Sequence, residues 1–110
     1  MDAHSQSKKI TERTDVLQVN GHNNKVVLSN KVKKVVIYGH NNRIYGDITD
    51  NGHALGVADS LTVTGHNNRL EHLKLGIFQI KGHNNFIQSI RFMQVSDTGI
   101  NNKFSECYQI

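Results

Sequence analysis

The tetrapeptide Gly-His-Asn-Asn occurs four times in this chain, and each copy places an imidazole beside two carboxamides. The copies begin at Gly21, Gly39, Gly65 and Gly82, and a fifth, Gly-Ile-Asn-Asn, begins at Gly99. Histidine is a common metal ligand and general base, so these residues could form a metal centre or a catalytic set. The same tetrapeptide could instead be a structural turn, because Gly and Asn tolerate left-handed backbone angles.

The spacing of the copies indicates a repeat that extends beyond the tetrapeptide. The intervals between the five glycines are 18, 26, 17 and 17 residues, which indicates a unit of about 17 residues with an insertion in the second unit. Apolar residues recur four positions before each glycine, at Leu17, Val35, Leu61, Phe78 and Val95, and five positions after it, at Val26, Ile44, Leu70, Ile87 and Phe104. Apolar positions two residues apart, rich in β-branched side chains, are typical of short strands.

Two architectures could use such a unit. A meander of hairpins is favoured by Asn20-Gly21, a good two-residue turn, but Tyr38, Thr64 and Lys81 replace that asparagine in later units. A solenoid explains more, because each position then lies over its own copy about 4.8 Å away, and stacked amides can hydrogen-bond along a ladder. We therefore predict an all-β, single-domain parallel β-helix (solenoid) of about five coils of about 17 residues.

The predicted ladders are two asparagine columns and one histidine column. Their members are Asn23, Asn24, Asn41, Asn42, Asn67, Asn68, Asn84, Asn85, Asn101, Asn102, His22, His40, His66 and His83. These columns resemble the asparagine ladders of right-handed parallel β-helix proteins, and the resemblance covers about Asp15 to Ile110. It implies a fold more than a function: the chain is much shorter than pectate-lyase-like enzymes. It is similar to bactofilins, which polymerise end to end, in size and architecture only.

The histidine column favours structure over chemistry. Parallel rings about 4.8 Å apart do not easily converge on one ion at the ~2.0–2.1 Å that a metal site requires. We therefore predict stacked neutral rings in a corner, with no catalytic residue, no metal and no cofactor. Protonation of the stack would create mutual repulsion, which leads to the hypothesis that the protein loosens near pH 5.

Outside the ladders, the tetrapeptides are followed by a basic column, interrupted only by Phe86. Its members are Lys25, Arg43, Arg69 and Lys103, and a second basic patch comprises Lys31, Lys33 and Lys34. The column is either a docking stripe for an acidic surface or a set of long side chains that cover a solvated edge.

The predicted boundaries follow from where the repeat fails. Residues 1–14 are predicted to be a polar N-terminal arm or cap, and residues 15–110 the β-helix, with an inserted loop at about 45–60. The insertion carries Asp47, Asp50 and His53. We predict a protruding protein-contact loop there; the alternatives are a surface loop without function and a cation or active site.

Composition restricts the classes of function. The net charge is +4, which favours an acidic partner, and the single cysteine, Cys107, is predicted to be a buried apolar residue. Neither a secretory leader nor a membrane span is visible, so we expect an intracellular protein of the cytoplasm or cytoskeleton. Nucleic acid is disfavoured because most aromatic residues fall on or near the apolar columns.

The sequence thus predicts a non-enzymatic scaffold. It would assemble with itself end to end or dock on a larger assembly with an acidic surface, tubulin being one candidate. The first alternative is a module that binds a polysaccharide or another polyanion. A pectate-lyase-like enzyme is the next alternative.

Overall fold

Two parallel sheets, each receiving one strand from every coil, form a β-solenoid of about six coils. The structure is a computed structural model that describes residues 2–110, with side chains from His4 onward. Sheet A comprises β1 (Asp2–His4), β3 (Thr14–His22), β5 (Lys31–His40), β7 (Val57–His66), β9 (Lys74–Ile80), β11 (Arg91–Asp97) and β13 (Tyr108–Gln109). Sheet B comprises β2 (Ser7–Ile10), β4 (Lys25–Leu28), β6 (Arg43–Gly46), β8 (Arg69–Glu71), β10 (Phe86–Gln88) and β12 (Lys103–Ser105).

The strand register confirms the 17-residue repeat and the predicted fold. Successive strands place each apolar residue opposite its equivalent, as in Leu17 opposite Val35 and Val35 opposite Leu61. In sheet B, Ile44 pairs with Leu70 in the same way. These inward-facing columns form one continuous core, in which Phe78 is fully buried. The period-two pattern therefore places alternate side chains of each strand inside the solenoid.

The solenoid extends further towards the N-terminus than the sequence predicted. The segment interpreted as an arm or cap contains β1 and β2, which pair with β3 and β4 and begin the first coil. Ser5 adopts the left-handed angle (φ 55°) that asparagine adopts in later corners. A serine can therefore form this corner without the Gly-His-Asn-Asn sequence, which is why the boundary at residue 15 was placed too late.

The insertion is a small hairpin, narrower than the predicted 45–60 loop. Tyr45 and Gly46 belong to β6, and β7 begins at Val57. Between them, Ile48 and Ala54 form an antiparallel bridge. We call residues 47–56 the insertion hairpin. Its two ends meet where Gly46 and Gly56 approach closely, so the coil continues almost directly from one to the other.

Glycine begins each tetrapeptide because the coils touch there. A Cβ built on Gly39 would overlap the carbonyl oxygen of Gly21, and a Cβ on Gly65 would overlap that of Gly39. Both residues also have positive φ, 132° and 137°, which side chains rarely tolerate. The glycine of each tetrapeptide is therefore required both by the close stacking of the coils and by the bend of the backbone.

The last coil is the least buried. Val95 and Phe104 continue the core columns but are each 41% exposed, because none of the described coils covers them. Cys107 was predicted to be buried; it is half-buried, packs against the core, and its Sγ lies 3.5 Å from the carbonyl oxygen of Ile87. Within residues 2–110, no helix is long and apolar enough to cross a membrane.

Candidate functional site

The corner between each sheet A strand and the following sheet B strand carries the repeated tetrapeptide, and its two asparagines have different roles. The first asparagine of each pair is exposed and left-handed, with φ between 56° and 59°. This set comprises Asn23, Asn41, Asn67, Asn84 and Asn101. The prediction of two ladders is therefore wrong for this column, whose side chains point to solvent while their backbone makes the turn.

The second asparagine column forms a buried ladder. The backbone N–H of Asn42 donates to Oδ1 of Asn68 at 3.0 Å, and Nδ2 of Asn68 donates to the carbonyl oxygen of Gly39 at 3.0 Å. The same acceptor pattern recurs from Asn24 to Asn102, and the bond to glycine recurs at Asn42, Asn85 and Asn102. Each amide thus satisfies one backbone N–H that the corner would otherwise leave unpaired, a condition that buried backbone must meet. It also gives a glycine carbonyl oxygen a second bond, since that of Gly65 accepts from the N–H of His83 as well.

Asp97 completes the ladder at the last coil. Its Oδ1 accepts bonds of 2.9 Å from Nδ2 of Asn102 and from the backbone N–H of Gly99. Asp97 stands two residues before Gly99, where the earlier coils have Val19, Ile37, Val63 and Ile80. The structure shows that the carboxylate supports the final corner.

The histidines form a stack of five rings along the same corner. The centroids of His22 and His40 are 4.9 Å apart with planes 5° apart, and the stack continues to His66 and His83 at 5.0 and 5.1 Å. His4 extends it at the other end, 4.1 Å from His22 and tilted by 31°. The sequence analysis missed His4, although it lies 18 residues before His22, which is the interval of the first repeat.

The stack disfavours the charged form of the imidazole at His22. Partial burial lowers the pKa of His22, and the neighbouring rings of His4 and His40 lower it further through charge repulsion. In the part of the chain that the structure describes, no group of three or more His, Cys, Asp and Glu side chains is arranged to hold a metal ion.

The basic column lies in register on the outer face of sheet B. Lys25 pairs with Arg43, Arg43 with Arg69, and Phe86 separates Arg69 from Lys103. Aromatic rings intervene between the charges. The guanidinium of Arg43 lies 5.0 Å from the ring centroid of Tyr45, and that of Arg69 lies 4.9 Å from that of Phe86. Both distances are within the range of cation–π attraction.

Glu71 holds the two arginines in place. It is nearly buried, and its Oε2 accepts a bond of 3.4 Å from Arg43. Its Oε1 lies 2.6 Å from Nε of Arg69 and forms an ion pair with it. A carboxylate between two stacked guanidinium groups offsets their mutual repulsion. Sequence reasoning missed this role, because a single Glu in a strand carries no repeat signal.

The remaining predicted contact residues do not join this column. The second basic patch lies on β5 of sheet A, where Lys31 pairs with Asp59 at 3.4 Å and Lys33 with Asp15 at 4.0 Å, and Lys34 is exposed. In the insertion hairpin, Asp47 accepts a bond of 2.9 Å from the hydroxyl of Ser29 and lies 3.7 Å from Lys9. Asp50 and His53 are exposed.

The separation of the two asparagine columns gives a stability prediction. The Asn68→Ala change leaves the N–H of Asn42 without a partner in a buried corner and removes one hydrogen bond to the carbonyl oxygen of Gly39. We expect the free energy of unfolding in urea to fall by about 3 kcal/mol. The matched control is Asn67→Gly, which keeps the left-handed turn and should change stability by less than about 0.5 kcal/mol. Equal losses in the two variants would contradict the assignment of roles.

The histidine stack gives a pH prediction. Because the pKa of His22 is lowered in the folded state, the unfolded chain takes up this proton at a higher pH. The contribution of His22 to stability is therefore complete above the ordinary pKa of about 6.5 and is lost as the pH falls through the lowered value. We expect Tm to drop between pH 7.5 and pH 5, and to drop less in His22→Gln. The control His53→Gln lies outside the stack and should follow the wild type; a Tm that does not change over this range refutes the idea.

Comparisons with known proteins add nothing beyond this geometry. No protein-family model, no curated protein and no solved structure matches the chain. The assignment to the parallel β-solenoid class therefore rests on the strand register and on the buried asparagine ladder.

Proposed function

We propose that this chain is a non-enzymatic scaffold module of the cytoplasm or cytoskeleton, which assembles with a second copy of itself and docks on acidic protein surfaces. One observation carries the proposal: the face of the last coil is apolar and uncovered. It favours assembly because core residues exposed in this way are stabilised when another surface removes them from water.

The exposed face is made of large apolar side chains. In the stretch from residue 93 to residue 110, six of them are between 41% and 68% exposed. They are Met93, Val95, Ile100, Phe104, Tyr108 and Ile110. The equivalents of Val95 and Phe104 one coil earlier, Phe78 and Ile87, are fully buried. The last coil thus leaves the core columns of Val95 and Phe104 uncovered, while Ile100 and Tyr108 continue the outward-facing columns of His83 and Arg91 at its edge.

Open strand edges lie beside this apolar face. β13 pairs with β11 only at Arg91 and Phe92, so β11 has a single paired neighbour from Met93 to Asp97 among the described strands. β12 likewise pairs only with β10 in that part of the chain. Unpaired edges of this kind favour addition of another strand.

The first coil does not complement this face. Lys8 occupies the register position of the core residue Val26 and is exposed, so it would bring a charge over Phe104. Ala3 occupies the position of Gly21. That column admits only glycine when another coil lies beneath it. In-register stacking of a first coil on a last coil is therefore disfavoured.

A contact between two last coils avoids both problems. A two-fold axis lets identical apolar faces meet and lets the open edges pair antiparallel. The molecule measures 34 × 30 × 22 Å, so its end face is comparable with the ~800 Å² per partner of stable interfaces. The assembly we propose is accordingly a closed dimer, in place of the continuous filament that end-to-end stacking would produce.

Charged residues on the end face should abolish the dimer. The double variant Met93→Lys/Ile100→Lys changes exposed side chains, so the fold should persist while the dimer Kd rises at least about 100-fold. The measurement is sedimentation velocity over a concentration series. The matched control is Val16→Lys/Ile77→Lys, which adds the same charge to exposed apolar positions on the outer face of sheet A. A wild-type chain that is monomeric at all concentrations would overturn self-assembly.

The docking part of the proposal rests on the outer face of sheet B. The column of Lys25, Arg43, Arg69 and Lys103 is exposed, and a dimer would present two copies of it. An acidic protein surface such as that of tubulin fits its charge. The regular spacing and the interleaved rings also favour the second candidate, a linear polyanion such as an acidic polysaccharide.

A pelleting assay separates the two candidate partners. We expect the chain to bind microtubules in a salt-dependent way, and Lys25→Gln/Lys103→Gln to weaken binding about tenfold. The control Lys34→Gln/Lys81→Gln removes the same charge elsewhere and should bind as the wild type does. Binding to heparin with no binding to microtubules would favour the polyanion module. Equal weakening by both double variants would indicate that only net charge matters.

A further inference from the structure

The insertion hairpin lines a cleft on the side of the solenoid opposite the Gly-His-Asn-Asn corner. It lies beside the second corner of each coil, where the chain passes from sheet B back to sheet A. At this corner His72, Ser89 and Glu106 adopt left-handed angles of 54–56°. The cleft has a volume of about 430 Å³, within the range of small-molecule sites.

The floor of the cleft is a row of side chains at the start of the sheet A strands. Val57 pairs in register with Lys74, Lys74 with Arg91, and Arg91 with Tyr108. Neighbours in this row are therefore one strand spacing, about 4.8 Å, apart. All four side chains line the cleft.

The floor carries two adjacent permanent charges. Lys74 and Arg91 are both exposed, and neither forms a salt bridge with an acidic side chain in the described part of the chain. The imidazoles of His53 and His72 line the same space. Glu106, the one acidic residue that lines the cleft, accepts a bond of 3.2 Å from the hydroxyl of Ser89. Two neighbouring cations repel each other, so an anion with two charges would be stabilised between them.

The insertion hairpin adds apolar side chains to the lining of the cleft, beside the imidazole of His53. Ile48 and Ala54, which are bridged to each other in the hairpin, face the cleft, and Tyr108 closes one end with most of its ring exposed. A ligand that fills this space therefore has an anionic end on the floor and an apolar body against the hairpin. The volume fits one ring and one phosphoryl group better than it fits a polymer.

We propose that this cleft binds a small phosphate monoester with an apolar or aromatic body. Such a group carries a charge of roughly −1.5 to −2 at pH 7, which matches Lys74 and Arg91 together better than a monoanion does. The site shares Tyr108 with the dimer face and shares no residue with the basic column. In this proposal the insertion hairpin, which interrupts the repeat, forms one wall of the binding site.

The test is an NMR titration of the amide signals of the 110-residue chain with four probes. Phenyl phosphate should shift amides along residues 47–57, 72–74 and 89–91 and should bind at least about tenfold more tightly than inorganic phosphate, which lacks the ring. Phenyl sulfate, with one charge, and benzyl alcohol, with none, should bind more weakly than phenyl phosphate. Absence of shifts at these amides would overturn the proposal, and equal binding of phenyl phosphate and phenyl sulfate would overturn the match to a dianion.

Substitutions locate the two halves of the site. Lys74→Gln/Arg91→Gln should weaken phenyl phosphate binding at least about tenfold, while Lys34→Gln/Lys81→Gln, with the same net charge, should not change it. Ile48→Ser should weaken phenyl phosphate and leave inorganic phosphate unaffected. The dispersion of the amide signals shows whether each variant is folded. If the double variant is unfolded, the single variants Lys74→Gln and Arg91→Gln are titrated in its place. Binding by a folded Lys74→Gln/Arg91→Gln that equals the control would overturn the assignment.

Discussion

The contact between successive coils at the Gly-His-Asn-Asn corner is the constraint on which the rest of this molecule depends. The backbone there passes so close to the previous coil that only glycine fits at Gly39, Gly65, Gly82 and Gly99. The buried second asparagine of each tetrapeptide then bonds to the bend of the preceding coil: Oδ1 of Asn68 accepts from the N–H of Asn42, and Nδ2 of Asn68 donates to the carbonyl oxygen of Gly39. These bonds hold equivalent residues in register, and the register in turn stacks the apolar columns into a core.

The same register places equivalent surface side chains of successive coils over one another. Because each coil repeats the last, one histidine per coil becomes a stack of parallel rings, and one basic residue per coil becomes a line of charge. Both arrangements place like groups close together, which costs stability. The structure offsets the cost locally, with Glu71 between two arginines and with aromatic rings beside the cations. A solenoid therefore converts a short sequence motif into an extended surface feature, and this suits binding to large or repetitive partners better than chemistry at one point.

The sequence departs from the repeat at three places: the two ends of the solenoid and the insertion hairpin. At the first coil, Lys8 replaces a core residue, whereas the last coil leaves core residues such as Val95 and Phe104 uncovered. This asymmetry is why we favour a closed dimer over a filament. The hairpin interrupts the second corner without disturbing the coil, since Gly46 and Gly56 bring its ends together. It is thus free to form one wall of a cleft whose floor belongs to the regular sheet.

The repeat, the strand periodicity, the apolar columns and the stacked histidine corner could all be predicted from the sequence, because each depends on spacing along the chain. The sequence did not distinguish the two asparagines: both tolerate a left-handed angle, and only the path of the backbone decides that Asn67 turns while Asn68 points inward. It also missed the first coil, where Ser5 takes the place of an asparagine, and the ion pairs of Glu71. The cleft beside the hairpin could not be predicted from the sequence either. Its walls come from segments that are distant in sequence. These segments meet only because of the way the coils stack in three dimensions.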